Sequence, residues 1–225
     1  MCSSAGEALP GEIGQRFERQ FGVSIIDGIG STEMLHIFVG SSERDARAGA
    51  TGRVVPGYVA EIHDDDGNPL PLGAIGKIAV KGPTGCRYLA DDRQGTYVRG
   101  GWNYPGDAYS LDAEGFFHYV ARTDDMIVSA GYNISGPEVE QALLAHDGVR
   151  ECAVVAKADP AHGTNIVKAF VVVRDGAVDA DALIAFCKAK IAPYKAPREV
   201  EFVDALPRTE TGKVQRYKLR ARATE

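Results

Sequence analysis

The feature that most constrains this chain is a change of rhythm at residues 122–125. Before it, between residues 52 and 120, the pattern is that of short strands. Tyr58, Ala60 and Ile62 alternate with polar neighbours, Asp66-Gly67-Asn68-Pro69 marks a turn, and alternation resumes over residues 75–80. Two more strands are expected at 97–99 and 116–120. After Asp124, helical periods alternate with apolar strands. Pro137 opens a helix whose Val139, Ala142, Leu143 and His146 share a face, residues 152–156 and 167–173 read as strands, and 180–191 as a second helix. The order β-α-β-β-α over about 100 residues predicts a small α+β domain with its own core. Upstream of residue 52, Pro10 starts a helix over 10–21 in which Ile13, Phe17 and Phe21 recur every fourth residue, Gly22 stops it, and 23–26 reads as a buried strand.

Composition excludes several classes of protein. With 44% hydrophobic and 25% charged residues, the 225-residue chain has the apolar material for one or two cores. Its 25 basic and 31 acidic residues are interspersed, which gives neither a nucleic-acid footprint nor a basic membrane face. The most apolar segment, 166–173, is too short to span a bilayer and contains Lys168. Cys2, Cys86, Cys152 and Cys187 are far apart, with no zinc spacing, so free thiols in a cytoplasmic protein are expected.

Four segments can carry chemistry. Gly28-Ile29-Gly30-Ser31-Thr32-Glu33 combines glycines that let backbone approach a ligand, hydroxyls that can donate to phosphate, and a carboxylate that can hold magnesium. The plainer reading is a turn with Ser31 or Thr32 as a helix cap. Gly106-Asp107, after Trp102-Asn103-Tyr104-Pro105, presents a carboxylate from a fixed turn and can accept ribose hydroxyls, although a lone Gly-Asp is commonly just a turn. Arg122-Thr123-Asp124-Asp125 reads equally as an exposed charge cluster. Near the end, Pro207-Arg208-Thr209-Glu210-Thr211-Gly212-Lys213 sets one lysine beyond a Thr-Gly turn. There a mobile ammonium can neutralise charge developing between carboxylate and phosphate; alone, it is a surface lysine.

Taken in order, these segments resemble the adenylate-forming superfamily of acyl- and aryl-CoA synthetases, luciferases and peptide-synthetase adenylation domains. The likeness spans nearly the whole chain, from Ser4-Ala5-Gly6-Glu7 through Gly-Ser-Thr-Glu, Gly106-Asp107 and the run 122–140 to Pro207–Arg216. Ile29, where most members carry an aromatic residue, makes the segment 27–38 resemble the benzoate and 2-aminobenzoate CoA ligase branch. Departures are Ala121 in place of a glycine and Tyr104-Pro105 in place of the usual Arg-Thr before Gly-Asp. The resemblance implies α/β and α+β architecture: the β-rich end of a large AMP-binding domain (1–123), then a small mobile α+β lid domain (124–225).

The resemblance also implies roles. Ser4, Ala5, Gly6 and Glu7 with Asp27, Gly28 and Ile29 sandwich adenine; Thr32 contacts the α-phosphate; Glu33 holds Mg2+; Asp107 and Arg122 bind ribose. Lys213 bridges the carboxylate and α-phosphate during adenylation. Asp124 is the hinge, Gly131 lines the CoA tunnel, and Gly30 and Ile37 wall the acyl pocket. The co-substrates implied are ATP, Mg2+, CoA and a small carboxylic acid, an aromatic one such as benzoate. The family's Ser/Thr/Gly-rich phosphate loop has no counterpart in this sequence, and Met1 to Ser4 reads like the middle of a strand. A carboxyl-terminal fragment is therefore expected, its further partner a separate chain carrying the amino-terminal part. Two alternatives stand beside a ligase fragment: an inactive or partner-binding module, and an adenylation domain loading a carrier protein.

Overall fold

A computed structural model describes residues 2–174 and 178–224. The chain divides into two compact units, Met1–Asp124 and Asp125–Glu225. In the first, β1 (Cys2–Ala5) leads through Leu9 and Pro10 into α1 (Gly11–Phe21). Pro10 sits at its amino-terminal cap, and Gly22, at φ 67°, ends it by returning its N–H to the Glu18 carbonyl. This left-handed turn costs a glycine little. Met1 of the expected opening strand lies outside the described residues. The stripe of Ile13 and Phe21 is exposed, and the residues of α1 that are buried are Gly11 and Gly14.

Two sheets make up the rest of this unit. β2 (Ile25–Gly30) pairs in parallel with β1 and antiparallel with β3 (Ile37–Gly40), which pairs with β4 (Arg53–Val54). The second sheet contains β5 (Val59–His63), β6 (Gly76–Lys81), β7 (Val98–Arg99), β8 (Trp102–Asn103), β9 (Asp107–Leu111) and β10 (Phe117–Arg122). A five-residue helix, α2 (Arg93–Tyr97), precedes β7. Met34, Phe38 and Val39 pack against Ile62, Ile78, Val80, Tyr109 and Phe117, so residues of the first sheet's connection and β3 share one core with the second sheet.

The second unit opens with a hairpin, β11 (Ile127–Ser129) and β12 (Tyr132–Ile134), followed by α3 (Gly136–Leu144). Ser135 caps α3 by accepting the Glu138 N–H, with Pro137 in the first turn. β13 (Val149–Asp159) and β14 (Thr164–Val173) form a long antiparallel pair. After α4 (Ala180–Lys190), β15 (Glu199–Phe202) joins β14 in parallel, and α5 (Arg216–Thr224) closes the chain. β14 is buried on both faces: Val167, Ala169 and Val171 face the core of α3 and α4, while Phe170 and Val172 pack with Leu206, Leu219 and Ala223. Lys168, within this strand, is 4% exposed because Glu199 and Glu201 each hold its ammonium at 2.7 Å.

Several boundaries differ from expectation. The strand expected at 23–26 begins at Ile25 and continues through the glycines, because β1 and β3 flank it and supply its ladder on both edges. Tyr97 ends α2 instead of starting a strand. His146 falls beyond α3 and packs edge-on against Phe186. The opening strand of the expected β-α-β-β-α order is a two-stranded hairpin, β11–β12, and β15 and α5 are additional to that order. No helix among the described residues is long and apolar enough to cross a membrane.

Candidate functional site

In the first unit, strand pairing gathers the expected adenine residues. The register sets Ser4 opposite Asp27 and Ala5 opposite Gly28, so the segment 4–7 leaves its strand beside residues 27–29 of β2. Gly6 turns away with φ 92°, and Ala5, Gly6 and Glu7 are exposed. Asp27 is buried, 8% exposed, and its Oδ1 has no hydrogen-bond partner among the described residues. Burial pushes its carboxyl up to about 6, against the opposing pull of the Gly28 and Leu9 backbone.

One residue further, a bulge in the β2–β3 ladder makes Gly30 face Ile37. A side chain at Gly30 would stand 2.5 Å from the His36 carbonyl oxygen, so close strand approach explains the glycine without recourse to a ligand. Ser31 caps a turn and not the helix of the plainer reading: its Oγ accepts from the Met34 N–H, and Leu35 then adopts φ 61°. Gly6, Gly30, Ser31, Thr32 and Ile37 line one open surface depression.

Glu33 has a partner that its motif does not announce. The Tyr88 hydroxyl donates to it, and Tyr97, buried at the end of α2, shares a 3.0 Å hydrogen bond with Ser31. Burial works to raise the Glu33 carboxyl, but the Tyr88 bond and the Arg93 charge prevail, and it lies below the usual carboxylate range. Among the described residues no cluster of three or more His, Cys, Asp or Glu is built to hold a metal. A lone ionised carboxylate fits magnesium, which keeps several waters and takes its remaining ligands from substrate phosphates.

Asp107 and Arg122 stand directly opposite each other on β9 and β10. They do so through a bulge: Tyr119 faces Tyr109 and Ala121 faces Ala108, so Val120 is the extra residue. Arg122 Nη1 donates to the Pro105 carbonyl at 2.9 Å and reaches Asp107 Oδ2 at 3.4 Å. Gly106 lies at φ 89° with the guanidinium against it, where a side chain would meet Nη2 at 2.8 Å. Asp107 is buried and Arg122 exposed, so a sheltered carboxylate faces a cation at the rim. Asp124 is exposed beside Arg122, at 3.6 Å from its Nε.

The remaining candidates belong to the second unit. Ala130 and Gly131 form the tip of the β11–β12 hairpin at φ 48° and 83°, with Ser129 facing Tyr132. A two-residue tip with both residues left-handed is a type I′ turn, which asks for glycine whether or not a ligand passes. Nothing lies within 4 Å of a side chain built on Gly131. Lys213 follows Gly212 (φ 88°) on an exposed turn closed by Thr209, whose N–H donates to the Lys213 carbonyl and whose Oγ1 accepts the Lys213 N–H. Two ion pairs secure that segment: Arg208 to Glu151 at 2.7 Å, and Arg216 to both oxygens of Glu140 at 2.7 and 2.8 Å. Sequence reasoning missed Tyr88, Tyr97, Glu140 and Arg216 as supports. Only Glu140 and Arg216 fall within the family-like runs 122–140 and 207–216, and nothing in the sequence pairs them.

Two sequence-family profiles match the chain, one described as AMP-binding enzyme over residues 1–88 and one as AMP-binding enzyme C-terminal domain over 138–213. The benzoate–CoA ligase of Thauera aromatica is 44% identical over 98% of this chain and 43% of its own length. Among solved structures, an anthranilate CoA ligase in complex with anthranoyl-AMP aligns with TM-score 0.92 at 38% identity, covering 99% of this chain and 44% of that one. A benzoate CoA ligase from Burkholderia xenovorans LB400 aligns with TM-score 0.87 at 44% identity, covering 97% and 45%. The chain thus spans less than half the length of the relatives it matches.

Proposed function

Because this chain belongs to the AMP-binding enzyme family, we propose that it forms part of an ATP-dependent, AMP-forming acid–CoA ligase acting on an aromatic carboxylate such as benzoate or 2-aminobenzoate. The observation that carries this reading is the similarity to a benzoate–CoA ligase over nearly the whole chain. The local geometry supports it.

The end of β1 at 4–7 beside residues 27–29 of β2 is available to adenine, and the Asp107–Arg122 pair offers an acceptor and a donor for ribose hydroxyls. Thr32, exposed on the turn after Gly30, is available to an α-phosphate. Glu33, kept ionised, is available to phosphate-bound Mg2+, which when present offsets phosphate charge. Gly30 and Ile37 border the depression that would take the acyl group. Lys213 places an exposed ammonium on a tethered turn, suited to stabilising charge as carboxylate oxygen attacks phosphorus. Pyrophosphate leaves, and the thiol of CoA then displaces AMP from the acyl-adenylate. We assign Asp124 as the pivot between the two half-reactions and the Gly131 hairpin as the edge along which CoA's thin arm enters.

The test is acid-dependent ATP–pyrophosphate exchange by the intact protein with benzoate, 2-aminobenzoate and acetate, followed by thioester formation on adding CoA. Exchange and thioester with the aromatic acids, and far less with acetate, are expected. Exchange with acetate alone would remove the aromatic assignment, and exchange with none of these acids would remove the ligase reading for them.

A further inference from the structure

Just before the turn that carries Asp107, Tyr104 joins a polar chain whose other members, Glu61 and His63, belong to no motif. His63, the last residue of β5, is 1% exposed. Its Nε2 lies 2.9 Å from the Glu61 carboxylate and its Nδ1 lies 2.9 Å from the Tyr104 hydroxyl. A carboxylate can only accept, so Nε2 carries the proton; in the neutral ring Nδ1 then accepts from Tyr104. Trp102 packs edge-on against the imidazole, with ring centres 4.9 Å apart, and the Lys81 ammonium lies over the indole.

Tyr104 is 8% exposed and held at every end. Its N–H donates to the Tyr97 carbonyl at 2.8 Å, Arg99 lies over its ring, and its hydroxyl is at His63. Immediately after it the chain makes the turn at Pro105 and Gly106, whose carbonyls are taken by Arg122 and by Thr123, and then presents Asp107. The turn is therefore clamped from the rim by Arg122 and Thr123, and from inside by the Glu61–His63–Tyr104 chain. Neither His63 nor Tyr104 has the exposure needed to touch a substrate.

We propose that His63 and Tyr104 are positioning residues for nucleotide binding: the hydrogen-bonded chain Glu61–His63–Tyr104 fixes the turn that sets the Asp107 carboxylate against the ribose hydroxyls. This rests on the ribose reading of Asp107 above. The turn is thus anchored inward, through the Tyr104 phenol, to a buried imidazole. Deleting the Tyr104 hydroxyl leaves His63 Nδ1 without its donor in a dry site and frees the turn to shift.

The test compares kcat/KM for ATP with kcat/KM for 2′-deoxy- and 3′-deoxy-ATP in the intact ligase. A defect in general packing lowers all of these together; a misplaced Asp107 lowers the preference for ATP. Wild type is expected to prefer ATP by about tenfold or more, since a hydrogen bond to a charged group is at stake. Tyr104→Phe should cut that preference by about fivefold, through a raised KM for ATP, with kcat changed less than about twofold. His63→Leu should behave like Tyr104→Phe, whereas His63→Asn, which keeps an acceptor near the Nδ1 position, should restore most of the preference. Asp107→Ala is the control, expected to abolish it. If Asp107→Ala abolishes the preference and Tyr104→Phe leaves it intact, or lowers activity on all three nucleotides equally, the positioning role is wrong while the ribose reading stands. If Asp107→Ala leaves the preference intact, the ribose reading fails and takes this inference with it.

Discussion

The two units hold their candidate residues in opposite ways. In Met1–Asp124 the candidates grow out of backbone geometry: close strand approach at Gly30, a bulge before Arg122, and a positive φ at Gly106, with buried polar groups such as Asp27 and His63 close beneath. In Asp125–Glu225 they stand on exposed tips, Gly131 on a hairpin and Lys213 on a turn, and ion pairs tether the segment that carries the lysine. The difference teaches where function and stability are separable. A tip can lose its side chain without leaving a hole, whereas a residue woven into a sheet cannot.

The sharpest way to break this comparison is Lys213→Ala. With an exposed ammonium removed, the adenylation proposed above should fall by about 10²–10³-fold, the scale of losing one transition-state donor. Thermal stability should be unchanged, and thioester formation from supplied acyl-adenylate should be spared. Stopped-flow assays of the two half-reactions, with a melting curve, decide it; a large drop in melting temperature would make Lys213 a structural residue.

Next in size is the tether. Glu140 is nearly buried, accepts the Val154 N–H at 2.8 Å and pairs with Arg216 through both oxygens. Burial pushes its carboxyl up even though Arg216 opposes the shift. Glu140→Ala removes the two-oxygen pairing with Arg216 and the acceptor of the Val154 N–H, and should lower unfolding free energy by about 3 kcal/mol in urea denaturation. A loss below about 1 kcal/mol would mean that the pair behaves as a surface bridge and that the second unit is held by its apolar core alone.

The smallest effect is expected at Asp27, and its sign is informative. Its folded carboxyl titrates near 6, above the ordinary value of 3.8, so the native state binds more protons between those limits. Stability from this group is present below about pH 4 and lost as pH rises through about 6, by at most about 3 kcal/mol. Asp27→Asn should flatten the pH dependence of the first unit's unfolding in that window and make it more stable at pH 7. An unchanged slope would show that the buried oxygen is hydrated, and so less strained than its surroundings suggest.

Much of this arrangement is legible in the sequence, for reasons that differ by residue. The elements with long uninterrupted periods, such as α4 and β14, emerge nearly whole because tertiary packing reinforces their local pattern. The helix α5 gives no such signal: only Leu219 and Ala223 of its residues are buried, and the remaining positions are largely charged. β15 reads Glu-Val-Glu-Phe, and its glutamates are there to hold Lys168, a pairing that only the sheet reveals. The roles expected of Thr32, Glu33 and Lys213 come from motif resemblance. The groups that steady their surroundings, Tyr88 at Glu33 and Tyr97 at Ser31, lie 55 and 66 residues away, beyond any local signal.

The single extra residue in β10 has a consequence for how this protein can be edited. From Tyr119 to Arg122 the strand takes three steps, while its neighbour takes two from Tyr109 to Asp107. Ironed flat, the same residues would set Gly106, not Asp107, across from the arginine, so the bulge is a piece of slack that brings the two together. Tolerance to length is therefore lopsided. Dropping Val120 would spend the slack and leave arginine and aspartate face to face on a straighter, less twisted ladder. Adding a residue between 119 and 122 would ask the strand for slack it has already used, and the guanidinium would swing towards the wrong neighbour. Closing a gap here keeps arginine opposite aspartate, but opening one rewrites the site while keeping every familiar letter.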